Sequence, residues 1–164
     1  MTSRWTRAQL LAAEQGIDAL LITPGANLRY LTGYHALPLE RLTCLVLPAS
    51  GDPTLVVPAL VRPAAVAAGV DIDIASWQET EDPFALVAGL VGGAATVAVD
   101  DHMWAERVFA VQDALPSSRT VLAGPILQEL RLRKDPDEVE ALRVAGAAID
   151  RVHARMGEWL RPGP

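Results

Sequence analysis

The sequence predicts an α/β domain of three layers, in which helices cover both faces of a mixed β-sheet. Short apolar runs with strand character alternate with helical segments along the chain, which is typical of α/β folds. Two of the strands, at residues 42–47 and 54–57, are separated by a turn rich in proline and glycine. They predict an early antiparallel hairpin, which makes the sheet mixed. A length of 164 residues suits one domain with an appendage.

The individual elements follow from hydrophobic periodicity and from residues that end helices. Helices are predicted at residues 4–15, 27–31, 60–68, 83–90 and 104–115, and strands at residues 18–23, 42–47, 54–57, 71–75, 95–99 and 120–122. Gly16, Gly33 and Gly69 end three of these helices, because glycine readily adopts the left-handed conformation found at helix C-termini. Asp82 and Pro83 supply a cap and a first residue for the helix that follows them.

A final long helix has the clearest start signal. Residues 135–138 read Asp-Pro-Asp-Glu, and Glu138 follows Asp135 at the spacing of a capping box. Apolar residues then recur at helical intervals: Val139, Leu142, Ile149, Val152, Met156 and Leu160. A helix of about 25 residues would be roughly 37 Å long, and residues 161–164 would end it. Because this exceeds what a domain of this size needs, we expect its apolar stripe to require a partner.

Composition and charge exclude several classes of function. The net charge of −6 argues against nucleic acid or an anionic membrane as the main partner. No secretory signal is recognisable, and no apolar run reaches the roughly 18 residues needed to span a bilayer, so a cytoplasmic location is expected by default. The single cysteine, Cys44, excludes an internal disulfide and a cysteine-based zinc site, and we expect it to be a small buried residue.

Two groups of potential metal ligands have plainer explanations. Asp100, Asp101 and His102 are consecutive at a strand end, so their side chains diverge, and one of the two aspartates is expected to cap the helix that begins near residue 103 or 104. Asp150 and His153 have i, i+3 spacing on the last helix and resemble half of a carboxylate–histidine site. We interpret them as a solvent-facing pair.

The chain offers no plausible catalytic centre. We find no nucleophile motif, no complete metal set and no phosphate-binding loop. His35 follows Tyr34 in a loop that continues to Glu40 and Arg41, and loops on rigid scaffolds often carry recognition residues. An ordinary surface histidine is the plainer interpretation of His35. The chain is therefore either a binding module or part of something larger.

Three segments resemble the creatinase/prolidase N-terminal domain. Residues 16–23 read Gly-Ile-Asp-Ala-Leu-Leu-Ile-Thr and residues 27–34 read Asn-Leu-Arg-Tyr-Leu-Thr-Gly-Tyr, similar to the start of that domain. Residues 126–143 contain Leu-Arg-x-x-Lys-Asp-Pro-Asp-Glu, similar to the stretch that joins the domain to a catalytic domain. The resemblance covers essentially the whole chain and implies the three-layer α/β/α fold of this family, followed by the long C-terminal helix.

What the resemblance implies is a two-domain metallopeptidase of the pita-bread (M24-like) class, an Xaa-Pro aminopeptidase or dipeptidase. Active members hold two divalent metals (Mn, Co or Zn) with two Asp, one His and two Glu, all in the C-terminal domain. Such metals bridge a water molecule and lower its pKa. None of the five ligand positions occurs in this chain, so we expect no catalytic residue, metal ligand or cofactor in it. The chain alone should be inert.

The resemblance also implies a division of the chain and roles for some residues. Residues 1–133 would be the N-terminal domain, and residues 134–164 a linker and the first helix of a catalytic domain. Such N-terminal domains help to form the dimer and lend loop residues to the rim of an active site. Candidates for the cleft rim or substrate contact are Tyr34, His35, Glu40 and Arg41. Candidates for an interdomain or oligomer interface are Ile149, Val152, Met156 and Leu160.

The implied partners are the protein's own catalytic domain, a second subunit in a homodimer, and short proline-containing peptides. Nucleic acid and membranes are not expected. Creatinase shares the architecture but hydrolyses creatine, so the substrate stays open, as does the metal. The alternative is a free-standing α/β binding or regulatory module that kept the fold without the catalytic domain.

Overall fold

A computed structural model describes residues 3–160 and residue 163. These residues divide into two compact units, one ending at Leu130 and the other beginning at Arg131. Within the described residues, no helix is both long enough and apolar enough to cross a bilayer. The predicted domain boundary between residues 133 and 134 stays a prediction.

The first unit is built on a single sheet. The strands of the described chain are β1 (Ala19–Ile22), β2 (Cys44–Pro48), β3 (Thr54–Pro58), β4 (Asp73–Trp77), β5 (Thr96–Val99) and β6 (Arg119–Leu122). Their order is β4-β3-β2-β1-β5-β6. Strand β2 pairs antiparallel with both β1 and β3, whereas β1–β5, β3–β4 and β5–β6 are parallel. The mixed sheet and the early hairpin are therefore confirmed.

Helices pack on both faces of this sheet. The helices associated with it are α1 (Arg4–Glu14), α2 (Ala26–Thr32), α3 (Arg62–Ala67), α4 (Pro83–Val91), α5 (Ala105–Ala114) and α6 (Gly124–Leu132). Successive strand residues face opposite sides, so the core has two parts. Leu20 and Ile22 belong to one part, with residues of α1, α2, α3 and α6. Leu21 belongs to the other, with residues of α4 and α5. The predicted three-layer α/β/α fold is confirmed.

The described elements follow the local signals with some differences. A 3-10 turn (Ala59–Val61) precedes α3, because Pro63 lacks the N–H that a continuous α-helix would use. Strand β4 begins two residues later than predicted. Helix α6 was not predicted, although Gly124-Pro125 followed by apolar residues marks its start.

Asp101 caps α6 rather than the nearer helix. The Trp104 N-cap of α5 has no side-chain hydrogen bond, so the prediction that Asp100 or Asp101 caps that helix is wrong. Instead, Asp101 Oδ1 accepts a hydrogen bond from the amide of Gly124 at 2.7 Å. A Cβ atom on Gly124 would clash with the Asp101 carboxylate, which explains why glycine stands there.

The second unit contains α7 (Pro136–Ala154) and α8 (Met156–Trp159). The predicted capping box is confirmed: the Asp135 side chain caps the first turn, and the Asp135 amide donates to Glu138 Oε2 at 2.9 Å. The predicted single helix is divided at Arg155, shortly before Gly157, a residue of low helix propensity. The predicted helix end at residues 161–164 lies outside the described residues, apart from residue 163.

Candidate functional site

The 34–41 loop connects α2 to the sheet and carries all four predicted rim residues. Gly33 ends α2 with a φ of 77°, in the left-handed region, and turns the chain into the loop. The Tyr34 amide donates to Thr32 Oγ1 at 3.1 Å. Tyr34 is only 8% exposed and packs in the core, whereas His35 is exposed. The loop therefore has one buried anchor beside an accessible imidazole.

Arg41 is held by two carboxylates. Its Nε donates to Glu79 Oε1 at 2.6 Å, and its Nη1 donates to Glu40 Oε1 at 3.1 Å. The side chains of these three residues are 40–73% exposed, so the ion pairs add little to stability. Their effect is orientation, because a guanidinium bound through two of its nitrogens has little freedom to turn.

An apolar cavity of about 240 Å³ lies beside the loop. His35 and Arg41 reach it as polar groups, and Thr43 and Tyr34 also line it. The remaining lining residues, from the loop, the end of β3, the 3-10 turn and α3, are Ala36, Leu37, Leu39, Pro58, Leu60, Val61 and Ala64. The three leucines are 50–74% exposed. The site thus combines an apolar surface with an imidazole and an oriented guanidinium.

Arg107 is a further residue of this region and was not predicted. It is 3% exposed, lies on α5, and its guanidinium donates to the carbonyl of Leu39. The same guanidinium lies 4.4 Å from the centre of the Trp104 ring. Burial lowers the pKa of Arg107, and the neighbouring Glu106 carboxylate opposes that shift. The sequence did contain a signal for its burial, because residue 107 has helical i, i+4 spacing to the apolar residues Met103 and Val111.

The carboxylates at the end of β5 are occupied by local hydrogen bonds. Asp100 is buried; its Oδ2 accepts from Asn27 Nδ2 at 3.1 Å and its Oδ1 accepts from the His102 amide at 2.9 Å. The His102 side chain is 90% exposed, and Asp101 bonds to α6. Among the described residues, no three or more His, Cys, Asp or Glu side chains are placed to hold a metal ion. A two-metal centre therefore does not fit this part of the chain.

The other chemically distinctive residues are also accounted for. Cys44 is buried, as predicted, and burial raises the pKa of its thiol to about 12. Asp150 and His153 are exposed, as expected of a solvent-facing pair. The interface candidates Ile149, Val152, Met156 and Leu160 are 38–66% exposed.

Comparison with known proteins identifies the family. The family model described as Creatinase/Prolidase N-terminal domain matches residues 4–133. The chain belongs to this family. A curated relative, the probable dipeptidase PepE of Mycobacterium tuberculosis, is 44% identical over 98% of this chain and 44% of its own length. The Xaa-Pro dipeptidase of Lactobacillus helveticus is 28% identical over 81% of this chain and 38% of its own length.

Solved structures of the same family have the same fold. The crystal structure of dipeptidase PepE from Mycobacterium ulcerans matches 98% of this chain and 44% of that chain, with a TM-score of 0.87 and 45% identity. The chain therefore spans less than half the length of these relatives. Their activities concern the longer proteins.

Proposed function

We propose that this chain is the non-catalytic N-terminal domain of an Xaa-Pro aminopeptidase or dipeptidase, a prolidase-like hydrolase. In this role it contributes to dimerisation and to the rim of the active-site cleft. Family membership supports the proposal, as do relatives named as dipeptidases that extend well beyond the matched segment. The longer protein to which this domain would belong would act on short proline-containing peptides in the cytoplasm.

The division of labour rests on the donor groups of the described residues. The consecutive carboxylates Asp100 and Asp101, at the end of β5, accept hydrogen bonds from an amide side chain and from backbone amides. We therefore propose that two divalent metals (Mn, Co or Zn) bind in a catalytic domain and that this chain supplies none of their ligands. When bound, such metals supply an activated water and polarise the scissile carbonyl.

The observation that carries the rim proposal is the arrangement of the 34–41 loop. His35 is exposed, and Arg41 is fixed by Glu40 and Glu79 beside an apolar cavity. Recognition residues on a rigid scaffold keep their geometry without ordering costs on binding. A loop held in this way across one side of a cleft would restrict the substrate to short peptides by steric exclusion.

The second unit supports the interface part of the proposal. The residues of α7 and α8, and Leu160 directly after them, are largely exposed; they include the four interface candidates and Trp159. Contiguous exposed apolar surface on a protein usually marks an interaction site. We propose that this surface contacts the catalytic domain of the same protein or a second subunit.

A free-standing binding or regulatory module is the alternative. One observation favours it: the first unit has a complete core on both faces of its sheet. The two roles differ in what happens when a catalytic domain is supplied. A scaffold domain should restore or shape peptidase activity, whereas an independent module should not.

The experiment uses a chimera in which this chain replaces the matched segment of the M. tuberculosis dipeptidase. We expect the chimera to keep the dipeptidase activity of the unaltered M. tuberculosis protein, assayed side by side with Xaa-Pro dipeptides and Mn²⁺ or Co²⁺. His35→Ala and Arg41→Ala should each lower kcat/KM by about ten- to hundredfold while leaving Tm nearly unchanged. Arg119→Ala is the control, because Arg119 is exposed on β6, at the far edge of the sheet.

Two outcomes would contradict the proposal separately. A folded chimera without activity would argue against the scaffold role and favour the independent module. An active chimera whose kinetics do not respond to His35→Ala or Arg41→Ala would remove the rim role alone.

A further inference from the structure

The 34–41 loop owes its shape to side chains from other elements. The structure describes all residues of the 34–41 loop, and none of these loop residues lies in a helix or strand. Glu79, after β4, holds Arg41, and Trp77 Nε1 donates to the Leu42 carbonyl at 3.0 Å. Helix α5 also reaches the loop, through Arg107, which donates to the Leu39 carbonyl. Leu39 lies two residues before Arg41.

Arg107 is an unusual choice for such a contact. A buried guanidinium loses its hydration, and burial lowers the pKa of Arg107 accordingly. Three features compensate for the lost hydration: the Leu39 carbonyl, the Trp104 ring at 4.4 Å, and the Glu40 and Glu106 side chains, which line a cavity of about 260 Å³ together with Arg107. The contact to the loop thus belongs to a preorganised cluster.

An arginine suits this position for a geometric reason. Its planar group can lie flat on the Trp104 ring while one edge donates to the Leu39 carbonyl. A lysine would place a compact charge there and could satisfy only one of these contacts well. The Leu39 carbonyl, two residues before Arg41, is thus bound by a donor whose own position is supported by the Trp104 ring.

We propose that Arg107 is a positioning residue that holds the 34–41 loop in the geometry needed at the cleft rim. The inference rests on the proposed function for the importance of the rim, but the anchoring of the loop can be measured in this chain alone. Arg107 acts through the Leu39 carbonyl and, through the chain, on the orientation of Arg41. It does not itself contact substrate.

Amide hydrogen exchange tests the anchoring. In Arg107→Ala, the amide of Leu39, which donates to the Leu37 carbonyl at 3.0 Å, should exchange at least tenfold faster, whereas amides of the central strands should change no more than global stability requires. Val111→Ala is the matched control, because Val111 is buried on the same helix and belongs to the core. Trp104→Ala should loosen the loop less strongly, because Trp104 is 42% exposed and only the stacking is lost.

The result that would overturn the inference is loop exchange in Arg107→Ala that rises no more than in Val111→Ala. Kinetics of the chimera give the second readout. Arg107→Ala should raise KM more than it lowers kcat, Arg107→Lys should recover part of the loss, and Arg107→Ala should add little in an Arg41→Ala background. Additive losses would contradict positioning of Arg41.

The two proposals fail in different ways. If Arg41→Ala impairs the chimera but Arg107→Ala neither loosens the loop nor alters KM, the positioning role is wrong and the rim role stands. If Arg107→Ala loosens the loop while Arg41→Ala and His35→Ala leave the kinetics unchanged, the rim role is wrong and the anchoring stands.

Discussion

Gln9 fastens α1 to the turn between β2 and β3, and its replacement gives a stability prediction of defined size. Gln9 is 8% exposed, and its Nε2 donates to the carbonyls of Pro48 at 2.7 Å and Gly51 at 2.8 Å. A neutral hydrogen bond contributes about 0.5–1.5 kcal/mol net, and a buried group left unpaired costs about 1–3 kcal/mol. Gly51 is exposed, so water can reach its carbonyl. We expect Gln9→Ala to lower the free energy of unfolding by about 2 kcal/mol.

Gln9→Glu separates hydrogen bonding from packing, because it keeps the side-chain shape but replaces the donor with an oxygen. The carboxylate would face two carbonyl oxygens, so we expect a loss larger than that of Gln9→Ala. Urea unfolding followed by circular dichroism measures both, with Gln112→Ala, an exposed glutamine on α5, as the control. About 2 kcal/mol corresponds to a Tm decrease of about 4–8 °C at this size. If both variants lose less than about 0.5 kcal/mol of unfolding free energy, the hydrogen bonds of Gln9 do not stabilise the fold as expected.

Three other positions give further predictions. Burial raises the pKa of the Cys44 thiol from 9.0 to about 12, so the free energy of unfolding should be unaffected below about pH 9 and fall as the pH rises toward 12. Above pH 9, the urea midpoint of Cys44→Ala should fall less steeply with pH than that of the unaltered chain. Equal slopes of midpoint against pH would contradict this. Gly124→Ala and Asp101→Ala should each lower the free energy of unfolding by about 1 kcal/mol. The double variant should lose no more than either single variant, because both changes remove the same helix cap. Additive shifts of the urea midpoint would contradict this. Trp77→Phe should cost about 1–2 kcal/mol, because the Leu42 carbonyl loses its donor; an unchanged urea midpoint would show that this bond is not needed.

Local signals were sufficient for much of the fold. Glycine at Gly33, the proline at residue 83 and the capping box at Asp135 act within a few residues, so their effects can be inferred from sequence. The strand order was not predicted in the same way. Strand β1 lies between β2 and β5, and its pairing with β5 joins Leu21 to Val99, a contact that no local pattern encodes. The resemblance to a known family implied the three-layer fold but not this strand order.

The candidate site shows the same limit. The position of His35 and Arg41 in one loop is visible in the sequence, but the residues that hold the loop are distant. Glu79 is 38 positions from Arg41, and Arg107 is 68 positions from Leu39. An arginine on the inner face of a helix also violates simple hydrophobic patterning, and only the fold reveals the carbonyl and the ring that compensate for its burial.

The central claim is that these residues form a scaffold and that the hydrolytic groups belong to another domain. The most direct test incubates the purified chain with Mn²⁺ or Co²⁺ and an Xaa-Pro dipeptide and measures the release of proline, with the chimera as the positive control. We predict that the isolated chain releases no more proline than a mixture of the dipeptide and the metal ion without protein, and that the chimera releases proline readily. Proline release by the isolated chain that a chelator abolishes would contradict the account.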